Sequence, residues 1–343
     1  MTESNTIAEQ ANSRVGLQVG IGIAVSVIAV VILLLVVDVR ASMDAIRGAD
    51  YRWLPVAMVV YVVGWVARGY AWRLLLNKEI SLQRSFWTLT EGYMFNNFLP
   101  LRMGEFGRGL LLNITEGLSF WRVMSTIVVE RVFDVGFMAG ILLSTAPFAI
   151  GLEGSAQIAL VAAGLVVIGF VGLFLAARRP DVIMRVFERF TSPVPQVTAF
   201  GREKLNAMLQ GLTSLSSIDR FLWVLLWMGL AWAFNVLFYY TLLLAFVPDA
   251  GVLMTGFLVG AAAMGVALPS SPGYVGVFHG TVVAALEIFG VPASVGLAYA
   301  IVAHLTYVSI SAVLGAFALG RDGLSLLEVF RKLLERRSQP AEA

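Results

Sequence analysis

The chain has no cysteine, and its 343 residues include only two histidines. The first absence excludes disulfides, thiolate metal ligands and a thiol nucleophile, and the second argues against a histidine-rich metal site. Charge is also scarce: 13% of residues are charged, against roughly 25% in a soluble domain. No glycine-rich nucleotide loop, HExxH, GxSxG or aspartate-rich metal motif occurs, so no catalytic signature is legible and no cofactor or metal is expected. The formal net charge of +2 gives no basis for a nucleic-acid partner. What fills the chain is apolar: 59% hydrophobic residues and a mean hydropathy of +0.83. Several runs reach the about 20 residues that a helix needs to cross a bilayer. The composition predicts an all-α polytopic membrane protein.

Six full spans are expected, at about 17–37, 53–76, 122–146, 156–177, 219–246 and 292–319. The run from Val15 to Val37 is longer than the about 7–15 residues of a signal-peptide core, and reads as an uncleaved first span. Basic residues orient the set. Arg178, Arg179, Arg185, Arg189, Arg202, Lys204 and Arg220 fill one connector, and Arg321, Arg331, Lys332, Arg336 and Arg337 the tail. Both segments are therefore expected on the cytoplasmic side of the cell (inner) membrane, with both termini there too. The stretches near 147–155, 247–251 and 290–293 hold no Lys or Arg and read as external, while the 38–52 loop is balanced in charge and decides nothing. Within the connector, about 178–218, the segments 181–190 and 198–216 fit helices resting on the inner surface. Trp53, Trp72, Trp121 and Trp223 near span ends read as interfacial anchors. The tail after Gly320 is about one amphipathic helix long, so no soluble catalytic domain is expected within it.

Two apolar stretches remain, about 85–120 and 252–290, each beginning and ending on one side. Each is broken by Leu-Pro-x-x-x-Gly-x-x-Gly: Leu99, Pro100, Gly104, Gly107 in the first, and Leu268, Pro269, Gly273, Gly276 in the second, an offset of 268 − 99 = 169 residues. Helix breakers at membrane depth are tolerated where backbone is buried in protein or lines a wet cavity. Arms of about 15–17 residues, too short to cross, predict two re-entrant hairpins entering from opposite faces. The same offset maps 53–76 onto 222–245 and 122–146 onto 291–315. Span–hairpin–span thus recurs in opposite orientation, an inverted-topology repeat over about 53–146 and 219–319 within a single membrane domain, 1–343.

Charges inside apolar segments cost about 2.5–3.5 kcal/mol each on insertion scales, so each calls for a reason. They gather in GYMFNNFLPLRMGEFGRG, with Asn96, Asn97, Arg102, Glu105 and Arg108, and in STIVVERVFDVGF, with Glu130, Arg131 and Asp134. Two readings stand. Arg102 and Arg108 hold a phosphate, helped by the free amides of Gly104 to Gly107 at a helix start, or they pair with Glu130 and Asp134 and pin hairpin to span. Glu91 is expected to be solvated near an interface. The second hairpin, ALPSSPGYVGVFHG, offers Ser270, Ser271 and Tyr274, a wall suited to a sugar or glycerol moiety, or else a tightly packed bend. His279 and His304 read as packing residues.

At GYMFNNFLPLRMGEFGRG, ERVFD and LPSSPGYVGVF the chain resembles the lysylphosphatidylglycerol synthase transmembrane (flippase-like, UPF0104) family, from about 17 to 320. The residues in place are Asn97, Pro100, Arg102, Gly104, Glu105, Arg108, Glu130, Arg131, Asp134, Pro272, Gly273 and Gly276. The resemblance implies a membrane domain that moves lipids between leaflets; members are linked to aminoacylated phosphatidylglycerol, hopanoids and polyprenyl-linked glycans. The expected function is movement of a phospholipid or polyprenyl-phosphate-linked lipid, with a membrane-embedded lipid-modifying or glycosyl-transfer enzyme as the rival. The partners expected are a membrane lipid as substrate, and a second copy or a separate lipid-modifying enzyme as assembly candidates. In the transport reading, Arg102 and Arg108 bind phosphate, Glu105, Glu130 and Asp134 orient them, and Ser270, Ser271 and Tyr274 complete the far wall.

Overall fold

The computed structural model describes residues 20, 23–99, 103–192, 201–202, 205, 209, 212–267 and 271–338, and no strand occurs among them. The first helix, α1 (Ile23–Val36), meets α2 (Val39–Gly48) at a bend of 87°. Asp38 makes the corner by accepting from the Arg40 and Ala41 amides at 2.8 and 3.1 Å, an N-cap that ends one helix and starts the next. The 38–52 stretch, expected as a loop, is therefore mostly a helix lying across the end of the bundle and packed on a later span. Its ten residues with Ser42 inward and Arg40, Asp44 and Arg47 outward are too few to give a span-like apolar run.

Then come α3 (Trp53–Leu75), α4 (Leu82–Phe98), α5 (Gly104–Glu116), α6 (Phe120–Ala149), α7 (Ser155–Arg178) and α8 (Pro180–Thr191). The second half holds α9 (Ile218–Leu243), α10 (Val252–Ala267), α11 (Val277–Glu287), α12 (Ala293–Arg321) and α13 (Leu326–Ser338). Of these, α3, α7, α9 and α12 are long and apolar enough to cross a membrane, and the bent α1–α2 pair adds a fifth candidate. The 30 residues of α6 reach about 45 Å at the helical rise. Most of α7 exposes bare Leu, Val and Ile, among them Leu160, Val161, Leu165, Val167 and Ile168. In water such a surface would not persist; facing lipid it needs no partner. Among the described residues this is an all-α polytopic membrane fold. Of the two expected surface helices, 181–190 is α8. In 198–216, residues 201–202, 205, 209 and 212 are helical and 213–215 form a 3-10 turn, the rest lying outside the described residues.

The most extensive packing joins α3 to α9, with Gly64 seated against Phe234 and the Tyr61 and Phe238 rings 4.4 Å apart. The first hairpin, α4–α5, begins and ends where Arg84 meets Asp322 beyond α12. The second, α10–α11, begins at the opposite end, where the Asp50 amide donates to the Ala245 carbonyl at 3.0 Å. The hairpins thus enter the bundle from opposite ends. Close approach within the first depends on Gly104, whose added Cβ would strike the Gly92 carbonyl. The bend of the second is left-handed at Gly273 and Gly276 (φ 70° and 84°), and a Cβ at Gly276 would lie 2.6 Å from the Ser26 carbonyl of α1. Pro100, Leu268 and Pro269 of the two repeated motifs lie outside the described residues.

Candidate functional site

Five charged residues from three helices meet between the first hairpin and the bundle. Glu130 of α6, its side chain wholly buried, accepts from Arg68 Nε of α3 at 2.8 Å, Arg108 Nη2 of α5 at 2.6 Å and Arg131 Nη2 at 3.0 Å. One turn on, Asp134 accepts from Arg68 Nη2 and from the Trp232 indole of α9 at 3.0 Å, and its carboxylate forms an ion pair with Arg131 Nη2 at 3.1 Å. The guanidinium of Arg108 lies 3.8 Å from the centre of the Trp72 ring, and Trp72 Nε1 donates to Thr126 Oγ1 at 3.1 Å. Three guanidiniums against two carboxylates leave 3 − 2 = 1 positive charge in excess. Burial of so many charges is tolerable only because each faces an opposite one. The cluster joins α3, α5 and α6 and, through Trp232, α9.

The two arginines at its edges differ. Arg108 is 3% exposed and held between Glu130 and Trp72. The Arg131 side chain is 45% exposed and borders a cavity of about 330 Å³, within the size range of small-ligand sites. The first hairpin contributes Asn96, Asn97 and Glu105 to the wall, the second Tyr274 and Phe278, α12 Tyr307 and Ser311, and α3 and α9 contribute Tyr61, Trp65, Asn235 and Tyr239. An adjoining cavity of about 170 Å³ shares Tyr61, Trp65, Tyr93 and Asn235 and reaches Arg68 and Trp232. Aromatic rings, amides and hydroxyls dominate this space, with one accessible guanidinium and one carboxylate at its edge.

Of the residues expected at a site, Asn97, Glu105, Arg131 and Tyr274 line the cavity. Glu130, Asp134 and Arg108 stand behind it in the ion cluster. Arg102 and Ser270 lie outside the described residues. Ser271 is not brought to the cavity wall: its Oγ accepts from Ser26 Oγ at 2.8 Å and its amide donates to the same atom at 3.0 Å, docking the second hairpin onto α1. Asn97 is tied by Nδ2 to Ser311 Oγ at 2.7 Å. The Gly104 amide, expected to be free for an anion, donates to Asn96 Oδ1 at 2.8 Å, so the first hairpin caps its own second arm. The Gly107 amide likewise bonds the Met103 carbonyl at 2.7 Å.

Two further expectations are corrected. Glu91 is fully buried in α4 rather than solvated at an interface, because α4 is enclosed by α3, α5 and α12. Trp72 is fully buried, a stacking partner of Arg108 instead of an interfacial anchor, whereas Trp121 and Trp223 are exposed. The sequence reading also missed Arg68, although a lone charge inside the apolar run of α3 is itself a signal of function. Trp232, Tyr61, Tyr93, Tyr239 and Tyr307 carry no such signal. The two histidines pack together, ring centres 4.9 Å apart, with His304 stacked on Tyr307.

The family model described as the lysylphosphatidylglycerol synthase TM region matches residues 19–315. Glycosyltransferase AglD of Haloferax volcanii is 26% identical over 301 residues, covering 71% of this chain and 45% of that protein. A UPF0104 membrane protein of Methanothermobacter thermautotrophicus is 25% identical over 171 residues, half of each chain. The chain thus matches about half the length of these curated relatives. No solved structure matches.

Proposed function

The chain belongs to the lysylphosphatidylglycerol synthase TM-region family, and from that premise we propose that it moves a phosphate-bearing lipid between membrane leaflets. The observation that carries this reading is Arg131, an accessible guanidinium in a cavity walled by two hairpins of opposite entry. A lipid phosphate binds the planar donor fork of Arg131, which Glu130 and Asp134 hold in place. Tyr61, Trp65, Asn97, Asn235 and Tyr274 surround the headgroup with rings and hydrogen-bonding groups suited to a polyol or sugar, while the acyl or prenyl tails stay in lipid. Arg108 has a positioning role: it neutralises Glu130 and fixes α5 to α6. Arg102 remains a second candidate for the phosphate.

Alternating exposure of this cavity follows from an inverted repeat. Its support is the packing pattern, which survives exchange of the halves. The pairs α3–α4, α4–α5, α5–α6 and α6–α10 have counterparts in α9–α10, α10–α11, α11–α12 and α12–α4. Each hairpin therefore packs on the last helix of the other half, an arrangement in which moving one hairpin shifts the other. On this reading the protein lies in the cell membrane with its arginine-rich end in the cytoplasm, an orientation supported by the positive-inside rule, and both termini are inside.

One observation favours a second reading: a relative carries the name glycosyltransferase, and the chain would then serve a lipid-linked glycosyl transfer. Reconstitution into liposomes with fluorescent phosphatidylglycerol or polyprenyl-phosphate analogues, with a nucleotide-activated sugar supplied as glycosyl donor, separates the two. Transport predicts leaflet exchange by the wild type that falls at least tenfold in Arg131→Ala, with lipid masses unchanged. A lipid of altered mass in the extract, with no exchange, would move the assignment to the enzyme.

A further inference from the structure

The charge cluster and the cavity leave one buried acid unused. Glu91 sits in the middle of α4 with no exposed surface, and neither carboxylate oxygen has a hydrogen-bond partner. One turn earlier on the same helix, Thr88 Oγ1 is also buried and unpartnered. The surrounding stretch of α4, including Leu89, Thr90, Met94 and Phe95, is buried as well. An ionised carboxylate in such a place lacks both water and a hydrogen-bonded counter-charge, and groups in that position neutralise rather than stay charged.

The charged groups around it are engaged elsewhere. At the start of α4, Arg84 is taken by Asp322, by Thr115 Oγ1 at 2.6 Å and by Glu116 at 3.4 Å. On α12, Arg321 lies 5.3 Å from the centre of the Trp87 ring. On α5, Arg108 is turned to Glu130 and Trp72. On α3, Arg73 Nε donates to the Ile80 carbonyl at 2.8 Å and Arg68 serves Glu130 and Asp134. Asp322, Arg84 and Arg321 are the charges whose fields reach Glu91. A metal cation is a poor fit: no group of three or more acidic or histidine ligands occurs among the described residues, and two arginines stand nearby.

We propose that Glu91 is a proton-binding site on the re-entrant hairpin, occupied by a proton in this conformation and emptied toward the Arg84 end when the Arg84–Asp322–Glu116 contacts open. Those contacts tie both ends of the first hairpin to the end of α12. Loss of the proton leaves a carboxylate seven residues from Arg84 on one helix, about 10 Å along the axis. The bare charge then competes with Asp322 for that arginine, so proton release and opening of the contacts favour each other. The site thereby gives the hairpin a means of responding to a proton gradient; that use rests on the transport reading, whereas the site itself does not.

The test is infrared spectroscopy of the purified full chain across a pH series, without any lipid substrate. A carbonyl stretch of a neutral carboxylic acid is expected at pH 7 in the wild type. It should vanish in Glu91→Gln, and equally in Glu91→Leu, with both proteins folded by size exclusion and thermal midpoint. The same band persisting in the folded variants, or no such band in the wild type, would overturn the proposal. Failure of both variants to fold would also overturn it, since an unpartnered protonated acid has no contact whose loss unfolds the protein.

Discussion

Glu130 is the residue on which the charge cluster depends, because three guanidiniums converge on its two oxygens. Replacing it with Gln leaves Arg108 with no carboxylate partner and Arg68 and Arg131 with Asp134 alone, 3 − 1 = 2 uncompensated charges in a buried setting. Removing one partner of a buried pair costs about 3–5 kcal/mol, so Glu130→Gln should lower the thermal midpoint sharply and reduce the folded yield by size exclusion. Arg131→Ala should behave differently. Its half-exposed side chain contributes at most about 1 kcal/mol to stability, so the variant stays folded while leaflet exchange is lost. Equal thermal midpoints for the two variants would argue against separate structural and binding roles. Much of this set was legible, since Arg108, Glu130, Arg131 and Asp134 stand out against apolar neighbours, and Arg68 carries the same mark. The tyrosines and asparagines of the cavity were not. Such residues are ordinary in membrane helices, and only the packing of α3 on α9 and of each hairpin on the other half brings them to one wall.

At the scale of elements, the hairpins show what a glycine at a crossing does. Gly104 begins α5 where it passes Gly92 of α4, and any Cβ there meets the Gly92 carbonyl and the Asn96 side chain. Backbone cannot move aside as a side chain can, so Gly104→Ala should splay the two arms. The amide bond to Asn96 would be lost with them. The expected result is a lowered thermal midpoint and protease sensitivity between α4 and α5. Gly140 of α6 is a control, since its added Cβ would meet Val166 at an ordinary 3.5 Å. Gly140→Ala should leave both measurements unchanged. The hairpins were readable from Leu-Pro-x-x-x-Gly-x-x-Gly because breakers inside apolar runs are rare in helices that cross. The corner helix α2 was not, since it carries no span-like apolar run and is settled by the Asp38 cap and by packing on α12.

For the whole molecule, the strongest statement is that the two hairpins enter from opposite sides. The absence of cysteine makes it directly testable, because a single introduced thiol is the only one present. Gln83 and Ser119 flank the first hairpin, Val252 and Glu287 the second, and all four are exposed. With the arginine-rich end inside, a membrane-impermeant maleimide added to intact cells should label Val252→Cys and Glu287→Cys. Gln83→Cys and Ser119→Cys should react only after the membrane is opened. The two positions flanking each hairpin must agree, since a re-entrant element returns to its own side, whereas a crossing pair of arms would place them on opposite sides. Labelling of one flank but not the other would remove the hairpin reading and the inverted repeat with it. A full reversal, with the first pair labelled outside, would keep the repeat but invert the protein. Alternating access would survive that result, and the proton of Glu91 would then be released to the exterior, so the labelling pattern also fixes the direction in which a gradient acts.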